Sequence, residues 1–388
     1  MGDKILKTMP KVKVDRPFEL LMASLKSVAS RKTYAVNYRG FLKFSEMKNG
    51  QQIIDTTPKK LTEIIIGYIL QLQKEVNPNT IPTYLATVRS FLEINDIDLK
   101  WKKIKKFYPD KIKISGQNAY STEHVKKMLS VTTKLQHRAL IHFHASTGCR
   151  AGSIFYEYDK SLKRALTIGD LRDMPHGCQM VTIYRDTKDE YSTFLTPEAI
   201  IEIENFLTAR KNKGEILNNE SPLFIKLNGT PMTEMDAKQI FKRIVTVANV
   251  RGQMKNGRYP VQLVHGFRKR FNTIMKLNNS VNDNAIEKMM GHQKGLDGTY
   301  LQITDERLFE EFYKGITDLT ISDEFRDKLK IRELEKAKPD DEEIITKIMP
   351  EVLIHLRKEL GLGTITNDAV DTLNKEQLKN LVKNFLVN

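Results

Sequence analysis

The chain has 388 residues, 40% of them hydrophobic and 29% charged, with 63 Lys/Arg against 48 Asp/Glu and a net charge of +15. That length provides for two or three domains, and the positive excess favours a polyanionic partner, by default nucleic acid. Two cysteines, Cys149 and Cys178, make no disulfide framework and fit a reducing compartment, and no apolar run approaches the roughly 20 residues that cross a bilayer. Composition therefore excludes a disulfide-stapled secreted scaffold and a membrane span; a cytoplasmic, nucleoid-associated location is expected.

The charge is uneven. Residues 1–120 hold 22 Lys/Arg against 11 Asp/Glu, a net +11, whereas residues 317–388 hold 12 against 15, a net −3. A front-loaded positive charge points to a DNA-gripping module followed by a tail with another role. Residues 1–15 read as a basic arm with no apolar h-region, so no secretion signal is expected there. The stretches "FELLMASLKSVASRKTYAVNYRGFLKFSEMK", "LTEIIIGYILQLQKEV" and "NTIPTYLATVRSFLEIND" carry apolar residues at helical spacing. Residues 16–106 are thus predicted to form a bundle of four or five helices. Arg31, Lys32 and Arg39 lie on one of them, interleaved with Tyr34 and Tyr38. A solvated face with core tyrosines and a phosphate-contacting face both fit this pattern. The basic, Pro- and Gly-containing stretch over 107–120 reads as a linker. Lys102 and Lys103, just before it, are further candidates for DNA contact.

Ser121-Thr122-Glu123 opens a helix. "LQHRALIHFHASTGCRAGSIFYEY" reads as a buried helix, a turn at Thr147-Gly148 and a second helix. "QMVTIYRDTKDEYSTFLTPEA" alternates about a charged centre, which predicts a hairpin with strands at about 179–185 and 190–196 and Lys188 near its turn. Helices resume at Pro197. "LVHGFRKRFNTIMKL" and "VNDNAIEKMMG" are helical, the latter with Gly291 as its C-terminal cap. "DERLFEEFYKGITDL" follows as a helix, and residues 317–388 read as a mostly helical extension broken at "KAKPDDEE" and "GLGTITND".

Six groups between residues 121 and 316 can act on a phosphate: Arg150, Lys188, His265, Arg268, His292 and Tyr300. Each alone has an ordinary structural explanation. His265 and Arg268, three apart, share one side of a helix. Tyr300, two residues from one glycine and five from another, is poorly placed as a core residue. His142 and His144 are two apart, which on a helix points them to different faces. The acids of "PDDEE" suit a helix N-terminus. No metal site and no cofactor are expected.

Taken in order, an Arg, a Lys on a hairpin, His-x-x-Arg, Gly-His and a Tyr eight residues on, the six resemble the catalytic domain of the tyrosine recombinases, the phage-type integrases. The strings that carry the resemblance are "STGCRAGSI", "YRDTKDEYSTF", "HGFRKRF" and "MMGHQKGLDGTYLQIT". It covers about residues 120–316. "RKTYAVNYRGFLKF" and "NTIPTYLATVRSFLE" resemble the family's core-binding domain, and "GHQKGLDGTYL" is most similar to integrases of archaeal viruses and plasmids. Two positions depart from the family: Ser153 stands where many relatives carry an acid three residues after the first Arg, and the His-to-Tyr interval is one shorter than usual.

The resemblance implies a mainly α fold with a small β-sheet or hairpin, in two domains that clamp DNA. These are a helical core-binding domain (16–106) and an α+β catalytic domain (121–316), joined by the linker at 107–120, with a helical extension at 317–388. It implies Tyr300 as the nucleophile, forming a 3′-phosphotyrosine, and Lys188 as the acid that protonates the leaving 5′-oxygen. Arg150, Arg268 and His292 bind the phosphate oxygens, and His265 exchanges a proton with Tyr300. Arg185, the hairpin's other cation, is a poor acid, and Lys188 is the one lysine between residues 180 and 210. Lys269 and Arg270 are expected to hold backbone phosphates. The implied partner is double-stranded DNA at a specific site, bound by a homotetramer on two duplexes. Two other activities share these residues: a type IB topoisomerase-like enzyme on one duplex, and a non-catalytic DNA-binding protein derived from an integrase.

Overall fold

The structure is a computed structural model and describes residues 15–112, 117–158, 162–255, 258–292 and 303–337. The chain divides into a unit that ends at Leu319 and a second that begins at Thr320.

The first unit opens with six helices: α1 (Arg16–Ser24), α2 (Val28–Ser45), α3 (Gly50–Ile54), α4 (Pro58–Glu75), α5 (Ile81–Ile94) and α6 (Trp101–Ile104). Local signals start them. Ser27 accepts from the Ser30 amide at 3.4 Å, Asn49 accepts from the Gln52 amide at 3.1 Å, and Pro58 occupies the first turn of α4, where its missing N–H costs nothing. One apolar face of each longer helix meets in a core that includes Leu21, Phe41, Ile65, Ile69, Leu85 and Phe91, all essentially inaccessible. Each such side chain contributes about 1.5–3 kcal/mol by leaving water. Tyr38 stacks on Phe18 with ring centroids 4.4 Å apart, and its hydroxyl donates to Asp15 Oδ2 at 2.6 Å.

The segment before α7 is tied at both ends. Ile112 and Asn79 exchange hydrogen bonds of 2.8 and 3.0 Å, so residues 107–112 lie on the bundle. Asn118 donates its amide to the Pro260 carbonyl at 3.1 Å, and the Tyr120 ring packs against Phe267.

Next come α7 (Thr122–Ser130), started by a reciprocal Ser121/His124 cap, and α8 (Leu135–Thr147), buried from Ala139 to Thr147. A hairpin of β1 (Phe155–Tyr158) and β2 (Leu162–Ala165) precedes an antiparallel sheet of β3 (Leu171–Met174), β4 (Cys178–Ile183) and β5 (Tyr191–Leu195), in that order. The β4–β5 register pairs Val181 with Thr193 and Ile183 with Tyr191. Helices α9 (Pro197–Asn212), α10 (Glu234–Val247), α11 (His265–Leu277), α12 (Asp283–Met289), α13 (Asp305–Lys314) and α14 (Ile316–Leu319) complete the unit. Buried α8 is its hub, contacting α7, α9, α11 and β5. The second unit contributes α15 (Asp323–Ala337). Among the described residues no helix is long and apolar enough to cross a membrane.

The mainly α architecture with a small antiparallel sheet is the fold class expected from the sequence. Three features differ: residues 16–106 hold six helices where four or five were expected, β3 adds a third strand to the expected hairpin, and the segment after Gly148 is not a helix. The helix expected after Gly148 is a single 3-10 turn at Ala151–Ile154 followed by β1. "IFYEY" is rich in β-branched and aromatic residues, which favour a pleated pair, and residues 162–165 supply the partner strand. The expected hairpin forms but is shorter at its turn: Tyr184 and Asp186 adopt φ of 56° and 65°, which ends β4 at Ile183. The expectations for Tyr300 and for the tail beyond Ala337 lie outside the described residues.

Candidate functional site

Arg150 owes its place to the end of α8. Gly148 closes that helix in the left-handed region at φ 57°, and a Cβ there would lie 2.6 Å from the Phe271 ring, so glycine serves both the turn and the close approach to α11. Two residues on, Arg150 is exposed; its carbonyl accepts from the Ser153 amide at 2.9 Å, while its guanidinium makes no hydrogen bond or ion pair to another described residue. Ser153, which stands where an acid was looked for, is fully buried, and its hydroxyl donates to Cys149 Sγ at 2.8 Å. The missing acid is thus replaced by a core contact to the neighbouring thiol, not by a second holder of Arg150.

Helix α11 supplies two groups of opposite exposure. Arg268 is 3% exposed. It donates to the Gly148 carbonyl at 3.0 Å, to the Met290 carbonyl at 2.6 Å and to His292 Nε2 at 2.7 Å. One guanidinium therefore ties together the end of α8, the end of α12 and His292. His265, at the first position of α11, is exposed. Partial burial, then the charges of Lys269, Arg268, Arg150 and His292, hold its imidazole below the usual histidine range. It is neutral at neutral pH and can accept a proton.

His292 is placed by the end of α12. Gly291 adopts φ 63°, the His292 amide donates to the Glu287 carbonyl at 2.9 Å, and the Gly291 amide donates to the Lys288 carbonyl at 2.8 Å. This left-handed helix end turns the imidazole back so that Nδ1 lies 2.7 Å from Glu287 Oε2. A Cβ on Gly291 would strike the Tyr191 ring at 2.5 Å. Glu287 in turn accepts from Lys276 Nζ at 2.6 Å.

Arg150 and His292 line one cleft of about 950 Å³, together with Tyr184, Tyr191, Glu234 and Lys288; Val28, Ala29 and Lys32 of α2 line it too. Burial pushes the Tyr184 phenol up to about 12, so it stays neutral. Arg150 and His265 line a smaller cavity of about 340 Å³ with Glu234 and Lys238. The described geometry therefore groups Arg150, His265, Arg268 and His292.

Lys188 is exposed in the β4–β5 turn, beside the cleft-lining Asp189 and Glu190. The turn is internally bonded: Thr187 donates through its amide and its hydroxyl to the Tyr184 carbonyl, and the Asp186 amide donates to Glu190 Oε2 at 2.7 Å. Its root is clamped by buried Asp170, which accepts from Arg185 at 3.2 Å and from Arg164 at 2.9 Å.

Of the expected DNA contacts, Lys32, Arg39, Lys102 and Lys103 are exposed. Arg31 is half-buried, with Nε donating to the Leu25 carbonyl at 2.7 Å. Lys269 donates to Gln117 Oε1 at 3.4 Å. Arg270 is corrected: it is 1% exposed and donates to Thr122 Oγ1 at 3.1 Å and to the Leu319 carbonyl at 3.0 Å. Two helical positions from Arg268, it points into the core and cannot hold a duplex. Sequence reasoning missed Glu287, Tyr184 and Tyr191. Only Glu287 left a trace, as an acid five residues before a histidine at a helix end.

Residues 120–296 match the family model described as phage integrase. No curated protein matches the chain. Among solved structures, a lambda integrase dimer bound to a COC' core site is 13% identical, over 75% of this chain and 97% of that one, with a TM-score of 0.50. The XerH site-specific recombinase bound to difH substrate is 18% identical over 73% and 79%, with a TM-score of 0.49. The Tn1549 transposon integrase in complex with transposon right end DNA is 19% identical over 64% and 84%, with a TM-score of 0.45. The lambda integrase likeness establishes the fold.

Proposed function

We propose, from the premise that the chain is a site-specific tyrosine recombinase with a phage-integrase domain over residues 120–296, that it cuts and rejoins DNA through a 3′-phosphotyrosine on Tyr300. Strand exchange must reseal a phosphodiester without an outside energy source, and a covalent intermediate conserves the bond. The Tyr300 oxygen attacks the scissile phosphorus; the bond to the 5′-oxygen breaks; a 3′-phosphotyrosine and a 5′-hydroxyl result. The reverse attack by a second strand's 5′-hydroxyl closes the cycle. A phenol, with a pKa of about 10, serves as both nucleophile and leaving group.

Arg150 and Arg268 take the non-bridging oxygens on planar, permanently charged forks, and His292 donates beside them. His265, neutral, accepts the Tyr300 proton. Lys188 delivers a proton to the leaving 5′-oxygen. No metal or cofactor enters this scheme. The observation that supports the reading best is the clustering of Arg150, His265, Arg268 and His292 in a domain that matches the phage integrases.

The partner is double-stranded DNA at a specific site, held between the basic helices and the catalytic residues by a homotetramer on two duplexes. The crystallised lambda integrase tetramer bound to a Holliday junction is the precedent. Lys32, Arg39, Lys102, Lys103 and Lys269 contact phosphates. The "GHQKGLDGTYL" string supports a narrower place among archaeal virus and plasmid integrases, and the charge supports a cytoplasmic, nucleoid-associated location.

A nicked suicide duplex carrying the target sequence tests the assignment. The wild-type chain forms a covalent adduct that survives denaturation, and Tyr300→Phe binds the duplex but forms none. Retention of the adduct by Tyr300→Phe, with loss in Tyr313→Phe, would move the nucleophile to Tyr313.

A further inference from the structure

Glu287 belongs to no part of the scheme above, yet it is the group that decides how His292 presents itself. A guanidinium has no lone pair to offer, so at 2.7 Å from Arg268 the His292 Nε2 atom must be the acceptor. The ring proton then sits on Nδ1 and is donated to Glu287 Oε2 at 2.7 Å. The other oxygen of Glu287 is occupied by Lys276 at 2.6 Å, and its side chain is only 13% exposed. The same helix end that aims the ring also fixes the carboxylate, because the His292 amide is bonded to the Glu287 carbonyl. The DNA-free arrangement is therefore a neutral His292 whose Nε2 is covered by Arg268.

That arrangement cannot donate to a phosphate from Nε2. We propose that Glu287 is the positioning residue that lets His292 become an imidazolium when a phosphate arrives. Arg268 turns its N–H from Nε2 to a phosphate oxygen. Nε2 takes one proton from solvent and donates it as a hydrogen bond to the same phosphate. The Nδ1 proton stays with the carboxylate of Glu287, and no bond to phosphorus changes in this step. The inference rests on the recombinase reading of the site.

The groups that face His292 make the carboxylate necessary. From α11 come Arg268 and His265, with Lys276 one contact further; from the loop after α8 comes Arg150; from α12 come Glu287 and Lys288; from β5 comes the neutral phenol of Tyr191. Most of these groups are cations, so a charged ring needs an anion beside it. Among the described residues the carboxylate of Glu287 is the acid bonded to the ring. A bound phosphate supplies the second negative charge, so phosphate binding and proton uptake at His292 are coupled.

Glu287→Gln separates this role from a packing role, because glutamine keeps the shape and an oxygen that accepts from Nδ1. Nitrogen-15 imidazole resonances of the full chain, with His292 assigned through His292→Gln, are read first. The wild type shows the Nδ1–H tautomer without DNA and the doubly protonated ring with a bound duplex, both at about pH 7.5. In Glu287→Gln the doubly protonated form is lost. Single-turnover adduct formation is then followed from about pH 6 to about pH 8.5. Glu287→Gln loses about tenfold in rate at the alkaline end and less than about twofold at the acid end. In the His292→Gln background it loses nothing further. A rate deficit equal at every pH, a deficit that persists without His292, or a wild-type ring that stays singly protonated on DNA would overturn the inference. Absence of any wild-type adduct would overturn the recombinase reading instead, and the resonances would still decide the role of Glu287.

Discussion

The six-helix region over residues 16–107 and the region from Tyr120 to Leu319 both have apolar cores, but they treat charge in opposite ways. In the first, the buried set is hydrophobic apart from Asn37 and Thr87, and Lys32, Arg39, Lys102 and Lys103 stay in water. In the second, Arg210, Arg268, Arg270, Asp170, Glu198 and Glu311 are all buried. Burying charge costs several kcal/mol per ion unless every donor finds an acceptor, so those side chains act as fixed struts. Arg268 joins three elements through three hydrogen bonds, and Asp170 clamps the root of the Lys188 turn. The lesson is a difference in construction: an apolar core under a solvated basic surface in one region, and in the other a frame whose geometry is set by buried charge.

The contrast can be broken first at Arg270. Arg270→Ala leaves the Thr122 hydroxyl and the Leu319 and Ala145 carbonyls without their donor; at about 1–3 kcal/mol for each buried group left unpaired, it should cost about 3 kcal/mol or more in urea unfolding, with duplex affinity unchanged at temperatures where it is folded. A stable variant with weakened, less salt-dependent binding would restore Arg270 as a phosphate contact. Arg268→Ala comes next. Adduct formation should fall about a hundredfold or more, equivalent to roughly 3 kcal/mol, and a rate within about fivefold of wild type in folded protein would remove Arg268 from the site. The helical region sets the smaller scale: Ile65→Val, at a fully buried position, should cost about 1 kcal/mol. A loss as large as that for Arg270 would erase the distinction between the two cores. Least disruptive is the double change Lys102→Ala/Lys103→Ala, which should shift stability by under about 0.5 kcal/mol. The slope of log affinity against log salt should drop by about 2, with the cleavage rate at saturation unaffected. An unchanged slope would take both lysines off the DNA.

The longer helices of residues 16–106 were legible because they are amphipathic and several open on local signals such as Pro58; the short α3 and α6 were not, because a single turn shows no period. The β4–β5 hairpin was legible from alternation about a charged turn. The strand after Gly148 was not, because "IFYEY" is too short to show a period and its partner at 162–165 is supplied by the fold. In the candidate site, the sequence named Arg150, His265, Arg268 and His292, which the structure groups; the assignment of Tyr300 lies outside the described residues. Exposure was not readable. In "HGFRKRF" the four polar groups His265, Arg268, Lys269 and Arg270 fall within two turns, at about 100° per residue. Only the packing of α11 on α8 and α12 makes His265 accessible, buries Arg268 as a strut and turns Arg270 into the core.

By itself the sequence determined the excess of positive charge, the helical periods and the set of groups able to act on a phosphate, because these are properties of single residues and of neighbours within one turn. The tertiary structure decided what Ser153 is bonded to, which arginine reaches the site, and that Glu287 and Arg268 share the two ring nitrogens of His292. Those contacts join residues up to 120 positions apart, as Gly148 and Arg268 are. Directional bonds in a buried, low-dielectric setting depend on where the partner atoms stand, and only the packed helices fix that.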